Sequence, residues 1–281
     1  MKRVKVFGVA LLVGSMAAAP RPAAAQAEIG ADLDLYSSYV WRGLSLTNKP
    51  VAQPNLYLSF PAGNASVTVG GWANIDLGKY DDPDDDISES GGLSAFNFAE
   101  FDPYAEVSFP AGKATLTGGI TGYIYPNDAG LNSDFNTWEI YGKVGFDVPL
   151  APELSIYYDI DKVNGAYIEG TVSHAVPLSE KLSLELGGLA GFSAGQAVPD
   201  DAASEDLANF FDDGLTHVDF SAGLPLTAGV FSITPNLHLH ICSDDATKIT
   251  SPTDDGDVKL FGGVSISWSK VLGEAPAEEE E

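Results

Sequence analysis

Three histidines and one aspartate are the residues best spaced for chemistry. His217 and Asp219 stand two apart, as do His238 and His240. In extended chain each pair shares one face. A hairpin turning near Thr227 sets His217 opposite His238, with His240 two residues further along the same face and Asp219 beside them. Imidazole nitrogens gathered in this way can bind a transition metal. The plainer expectation is a group of pH-sensitive polar side chains without a ligand, and we expect no metal and no cofactor. Ser173 and His174 are adjacent, which puts them on opposite faces of a strand and removes them as a nucleophile and base pair.

Two further features bear on binding. The acidic run Asp81-Asp82-Pro83-Asp84-Asp85-Asp86 offers carboxylate oxygens to Ca²⁺, but it lacks the Asp-x-Asp-x-Asp-Gly spacing of a defined calcium loop, so a solvated loop is expected. Cys242 is the single cysteine and cannot form an intramolecular disulfide. The chain has 14 Lys and Arg against 40 Asp and Glu, a net charge of −26, which excludes nucleic acid as a partner. A hydrophobic fraction of 44% is too high for a disordered acidic chain, and 30 glycines point to many turns.

The elements that must position these groups are strands. From Glu28 onward apolar and polar residues alternate, and turn residues interrupt them at regular intervals. Twelve segments result: Glu28 to Trp41, Val51 to Phe60, Ala65 to Leu77, Asn97 to Phe109, Ala114 to Tyr125, Asn136 to Val148, Glu153 to Asp161, Ala166 to Val176, Lys181 to Ala194, Leu215 to Leu224, Val230 to Ile241 and Val258 to Trp268. The first is expected to place Leu33, Leu35, Tyr39 and Trp41 on one face. Most segments reach the ~9 to 11 residues that a tilted strand needs to cross a bilayer.

Connections alternate in length. Short turns open on proline, at Pro61, Pro110, Pro149, Pro177 and Pro225, while the others are mostly long and acidic. Short turns on one side and long loops on the other describe a transmembrane antiparallel up-and-down β-barrel, with periplasmic turns and extracellular loops. A soluble β-sandwich shares the alternation but not the strand length, the alternating loop lengths or the aromatics near apolar-face ends: Trp41, Phe60, Phe109, Trp138, Phe146 and Trp268. Pro54, Pro103 and Pro235 fall within strands, where bulges are expected.

Residues 1–27 read as a separate unit. Lys2, Arg3 and Lys5 precede an apolar run from Val6 to Ala19, and Ala25-Gln26-Ala27 offers a cleavage site, the order of a secretory signal peptide. The expected organisation is a cleaved signal peptide at 1–27, a barrel at 28–269 and an acidic disordered tail at 270–281.

With apolar positions facing lipid, the polar partners line the interior. The expected pore-lining residues are Asp34, Arg42, Asp76, Glu100, Asp102, Glu106, Glu139, Lys143, Asp159, Asp161, Glu169, Glu185, Asp219 and Lys259, with Asp32, Asp147 and Asp257 beside them. Such an excess of carboxylates concentrates cations if ions pass. The alternative is that the acids pair with the few cations and hydroxyls as packing.

Tyr36-Ser37-Ser38-Tyr39-Val40-Trp41-Arg42-Gly43-Leu44-Ser45-Leu46-Thr47, followed by Pro50, Gln53-Pro54 and Gly70-Gly71-Trp72-Ala73-Asn74, resembles the TorF family of porins. The Arg-Gly after an aromatic strand end is similar also to the MltA-interacting MipA/OmpV barrels. The resemblance implies an outer-membrane barrel of porin type, or a scaffold barrel. His-x-Ser, the order in outer-membrane lipases and lipid A deacylases, follows none of the four histidines. The leading expectation is therefore a passive, cation-preferring pore for small solutes without catalysis. A non-conducting scaffold comes second and a lipid-modifying enzyme third. Expected partners are outer-membrane lipid and lipopolysaccharide, the barrel assembly machinery and small solutes.

Overall fold

Alternation in sequence becomes a wall with a different chemistry on each side. The computed structural model describes residues 26–78, 95–127, 135–180, 182–197, 208–210, 212–243 and 258–272. Residues 1–25, which hold most of the expected signal peptide, the acidic run at 81–86, Asp257 and the end of the chain from residue 273 lie outside the described residues. The strands are β1 (Glu28–Tyr36), β2 (Tyr39–Trp41), β3 (Leu44–Thr47), β4 (Val51–Ala62), β5 (Ala65–Asp76), β6 (Asn97–Ala111), β7 (Ala114–Tyr123), β8 (Thr137–Phe146), β9 (Glu153–Asp159), β10 (Ala166–Ser179), β11 (Leu182–Ala194), β12 (Gly214–Gly223), β13 (Leu226–Ala228), β14 (Phe231–Cys242) and β15 (Val258–Val271).

Every sequential neighbour in the wall pairs antiparallel, β1 pairs with β15, and β12 pairs with β14, so the sheet closes on itself. β12 and β13 form one wall strand broken at Leu224-Pro225, where proline supplies no donor. The result is a closed all-β barrel of twelve antiparallel wall strands. Closure leaves no sheet edge to satisfy, which is what a chain spanning lipid with strands requires.

The outer surface carries large apolar side chains at solvent-like exposure, among them Leu56, Leu116, Ile140, Ile156, Phe220 and Leu237. Phe60, Phe109, Phe146 and Trp268 stand on this face near the short-turn end, and Trp138 near the long-loop end. The inner face is polar: among the described residues eight Asp and Glu side chains are buried, against one Arg, one Lys and three His. This inversion of the usual soluble pattern is the signature of a membrane barrel.

The turns differ from expectation in one respect. Pro61 and Pro110 are not at the turns but within the last rungs, and β4–β5 and β6–β7 close at Ala62–Ala65 and Ala111–Ala114. The two-residue loops Gly63-Asn64 and Gly112-Lys113 carry positive φ at the glycine alone, +67° in each, as a type II′ turn requires. The bulges expected at proline are also absent from these positions. Pro54 pairs with Leu33, Pro103 with Gly71 and Pro235 with Val264 in unbroken register. The irregularities fall instead at Asn74/Ile75, Pro177/Ser179 and Gly191/Phe192.

The first strand ends earlier than its alternation suggests. β1 stops at Tyr36, and Tyr39–Trp41 pairs with Leu44–Thr47 as a separate hairpin. Tyr39 is 3% exposed and therefore not on the lipid face; Trp41 likewise leaves the outer aromatic set. The hairpin folds into the barrel, where Tyr39, Val40, Trp41 and Leu46 pack with Tyr36, Val51, Trp72 and Phe261.

Candidate functional site

The tip of the inward hairpin is built by two residues of positive φ. Trp41 pairs with Leu44, leaving Arg42 (φ +48°) and Gly43 (φ +92°) as the central residues of a type I′ turn. A β-carbon at Gly43 would lie 2.9 Å from the His217 ring, so glycine is required both by the backbone and by the space. The turn delivers Arg42 across the lumen to the far wall.

There its guanidinium meets β8. Nη1 donates to Glu139 Oε1 at 2.7 Å and Nη2 to Glu139 Oε2 at 2.6 Å, a bidentate pair with both side chains at most 5% exposed. Tyr123 Oη, at the end of β7, donates to the same carboxylate at 2.8 Å. The flat faces of the guanidinium are covered by aromatic rings, with Trp41, Tyr157 and Tyr167 centred 4.6, 4.6 and 4.4 Å from its carbon. Planarity, delocalised charge and weak hydration suit guanidinium to this combination of a carboxylate edge and π faces.

Other contacts tie the hairpin to the remaining walls. Tyr39 Oη donates to Glu100 Oε2 on β6 at 2.7 Å, and Lys259 Nζ on β15 donates to Ser45 Oγ at 2.6 Å. Cys242 Sγ on β14 lies 4.0 Å from the Gly43 carbonyl oxygen. The hairpin thus spans the lumen toward the long-loop ends of the strands, and it is fastened around the circumference.

The histidines continue this layer. His217 stacks on Tyr167 with centroids 6.2 Å apart and lies 4.9 Å from the His240 ring. Asp219 faces His238 Nδ1 at 3.0 Å and His240 Nδ1 at 3.7 Å. The expected register needs correction: His217 pairs with Cys242, Asp219 with His240 and Ser221 with His238. The physical cause is that β13 prolongs the hairpin, so the chain reverses at Gly229-Val230 and not near Thr227. Among the described residues no group of His, Cys, Asp and Glu has the geometry of a metal site.

Of the remaining expected lining residues, Asp76, Glu106, Lys143 and Glu169 are buried on the inner face, while Asp34, Asp102 and Glu185 are half-buried there. Glu106 accepts from Tyr141 Oη at 3.0 Å, and Lys143 Nζ stands 4.8 Å from the centre of the Tyr141 ring. Asp159 is buried but serves the chain turn: its Oδ1 accepts the backbone N–H groups of Asp161, Val163 and Asn164, and its Oδ2 accepts from Thr137 Oγ1 at 2.6 Å. Asp161 is exposed in the loop that Asp159 organises, and Asp147 is exposed in a turn, so neither lines the wall.

The tyrosines are what residue-type reasoning passed over. Tyr141, Tyr157 and Tyr167 succeed one another on β8, β9 and β10 with centroids 5.6 and 6.2 Å apart, an aromatic strip across the inner wall. Their positions on the polar side of the alternation are the signal that could have found them.

The family model Gcw_chp, described as "Bacterial protein of unknown function", matches residues 20–228. No curated protein matches the chain. Among solved structures, the COG4313 outer membrane channel from Pseudomonas putida F1 is similar at 10% identity and a TM-score of 0.53, over 88% of this chain and 96% of that one. The NanC porin is similar at 9% identity and a TM-score of 0.44, over 85% of this chain and 98% of that one. The first likeness establishes an outer-membrane type of barrel fold.

Proposed function

We propose, from the premise that the chain belongs to the Gcw_chp family of bacterial proteins, that it is an outer-membrane diffusion channel favouring small cationic or neutral solutes. The observation that carries this reading is the charge of the inner wall. Among the described residues, Glu28, Asp76, Glu100, Glu106, Glu139, Asp159, Glu169 and Asp219 are buried there, and of the lysines and arginines only Arg42 and Lys143 are buried with them. A lumen of one sign, walled by low-dielectric protein and lipid, raises the local concentration of cations and repels anions. The channel reading requires no catalysis and no cofactor. Kinship with the TorF porins belongs to the same reading, since both rest on a porin-type barrel.

The β2–β3 hairpin favours a second reading. Because it crosses the lumen and is fastened on several sides, a conformation locked in this state is a plugged, non-conducting barrel of scaffold type.

Single-channel recording of the refolded chain in planar bilayers under a KCl gradient separates the two. Discrete steps with a cation-selective reversal potential support the channel. Anion selectivity refutes the charge reasoning, and silence from a correctly folded barrel favours the scaffold.

A further inference from the structure

Arg42 sits in a pocket that it does not itself create. Three wall strands and the end of a fourth supply it: Glu139 from β8, Tyr157 from β9, Tyr167 from β10 and Tyr123 from β7. We propose that these four residues form a binding site for organic cations of the guanidinium and alkylammonium class, which the hairpin occupies with its own Arg42 in this conformation. The proposal rests on the channel reading only for its purpose in transport; the binding site itself stands or falls separately.

The chemistry of the pocket selects the ligand. A carboxylate edge held by Tyr123 offers two parallel acceptors, and two tyrosine faces lie 4.6 and 4.4 Å from the cation. A flat, weakly hydrated cation gains from both, whereas K⁺ and Na⁺ lose a hydration shell that π faces replace poorly. The same wall already holds an ammonium. Lys143 Nζ lies 4.8 Å from the Tyr141 centroid and 5.9 Å from that of Tyr157, so the Tyr157 ring has both a guanidinium and an ammonium within about 6 Å. Glu169, buried beside Tyr167 and accepting from its hydroxyl at 3.3 Å, adds a carboxylate at the rim. An incoming organic cation would therefore compete with Arg42 for one site, and its entry would release the tip of the hairpin.

Removing the internal occupant tests this. Arg42→Ala, purified in detergent with its folding checked by heat-modifiable mobility, is titrated with methylguanidinium chloride by calorimetry against KCl at equal ionic strength. A single class of site is expected, at least about tenfold tighter than in the unaltered chain and weakened about tenfold again in Arg42→Ala/Glu139→Gln, since a charge-assisted bidentate contact is lost. A folded Arg42→Ala barrel that binds methylguanidinium no better than the unaltered chain overturns the proposal. Should Arg42→Ala fail to refold, recovery of refolding by millimolar methylguanidinium but not by KCl supports it, and no recovery overturns it. Binding with electrical silence would refute the channel and leave the site; conductance without binding would do the reverse.

Discussion

Replacing Glu139 by glutamine asks whether the hairpin is held in the lumen by its tip. The substitution keeps the shape of the side chain and removes the charge that meets both guanidinium nitrogens, at 2.7 and 2.6 Å. The two side chains are 5% and 2% exposed, so the change leaves a buried charge without its counter-ion. Breaking one side of such a pair costs about 3–5 kcal/mol. The barrel has no need to unfold, because the hairpin can carry Arg42 into water, and the loss falls on the docking equilibrium. At 1.36 kcal/mol for each factor of ten, that shifts docked against undocked by about 150- to 5000-fold. The amide oxygen of glutamine still accepts one hydrogen bond, so the lower end is expected. Cys242 is the reporter: it is the single cysteine, 5% exposed, with Sγ beside the Gly43 carbonyl. When docking is fast relative to reaction, thiol labelling follows the undocked population. Cys242 of Glu139→Gln should label about a hundredfold faster or more, with unchanged heat-modifiable mobility. A folded Glu139→Gln barrel whose Cys242 labels at the original rate would refute the latch.

Other substitutions probe separate parts of the structure. Gly43→Ala introduces a β-carbon 2.9 Å from the His217 ring at a φ of +92°, so it should speed Cys242 labelling as Glu139→Gln does while leaving barrel unfolding in urea unchanged. Asp159→Ala orphans the N–H groups of Asp161, Val163 and Asn164; hydrogen exchange at these amides should accelerate, with a loss of about 1–3 kcal/mol in local protection. Ile140→Arg puts a charge on the outer face, where Ile140 is 48% exposed; urea unfolding in vesicles should register a loss of up to about 2–4 kcal/mol. An equal loss from Ile140→Gln would show that packing, not charge in lipid, is being measured.

The wall was legible in the sequence because a strand's side-chain period is two, and twelve segments carried it. Apolar and polar positions alone assigned Trp138 and Phe146 to lipid and Glu139 and Lys143 to the interior, as the strand β8 has them. The same period misled at Tyr39 and Trp41. It continued in phase past Tyr36, while the turn at Arg42-Gly43, between Tyr39–Trp41 and Leu44–Thr47, was the overlooked sign of a second, inward hairpin. The histidine register failed for a related reason: it depends on where the chain reverses, and a proline at 225 resembled a turn when the turn lay at Gly229. Periodicity sets which face a residue takes once its strand is known, and sequence alone determined the outward-apolar wall with its acidic interior. That Arg42 reaches Glu139, 97 positions away, and enters an aromatic pocket from three further strands was decided by tertiary structure. A contact across a lumen depends on barrel closure and on the direction of a loop, and neither has a period to read.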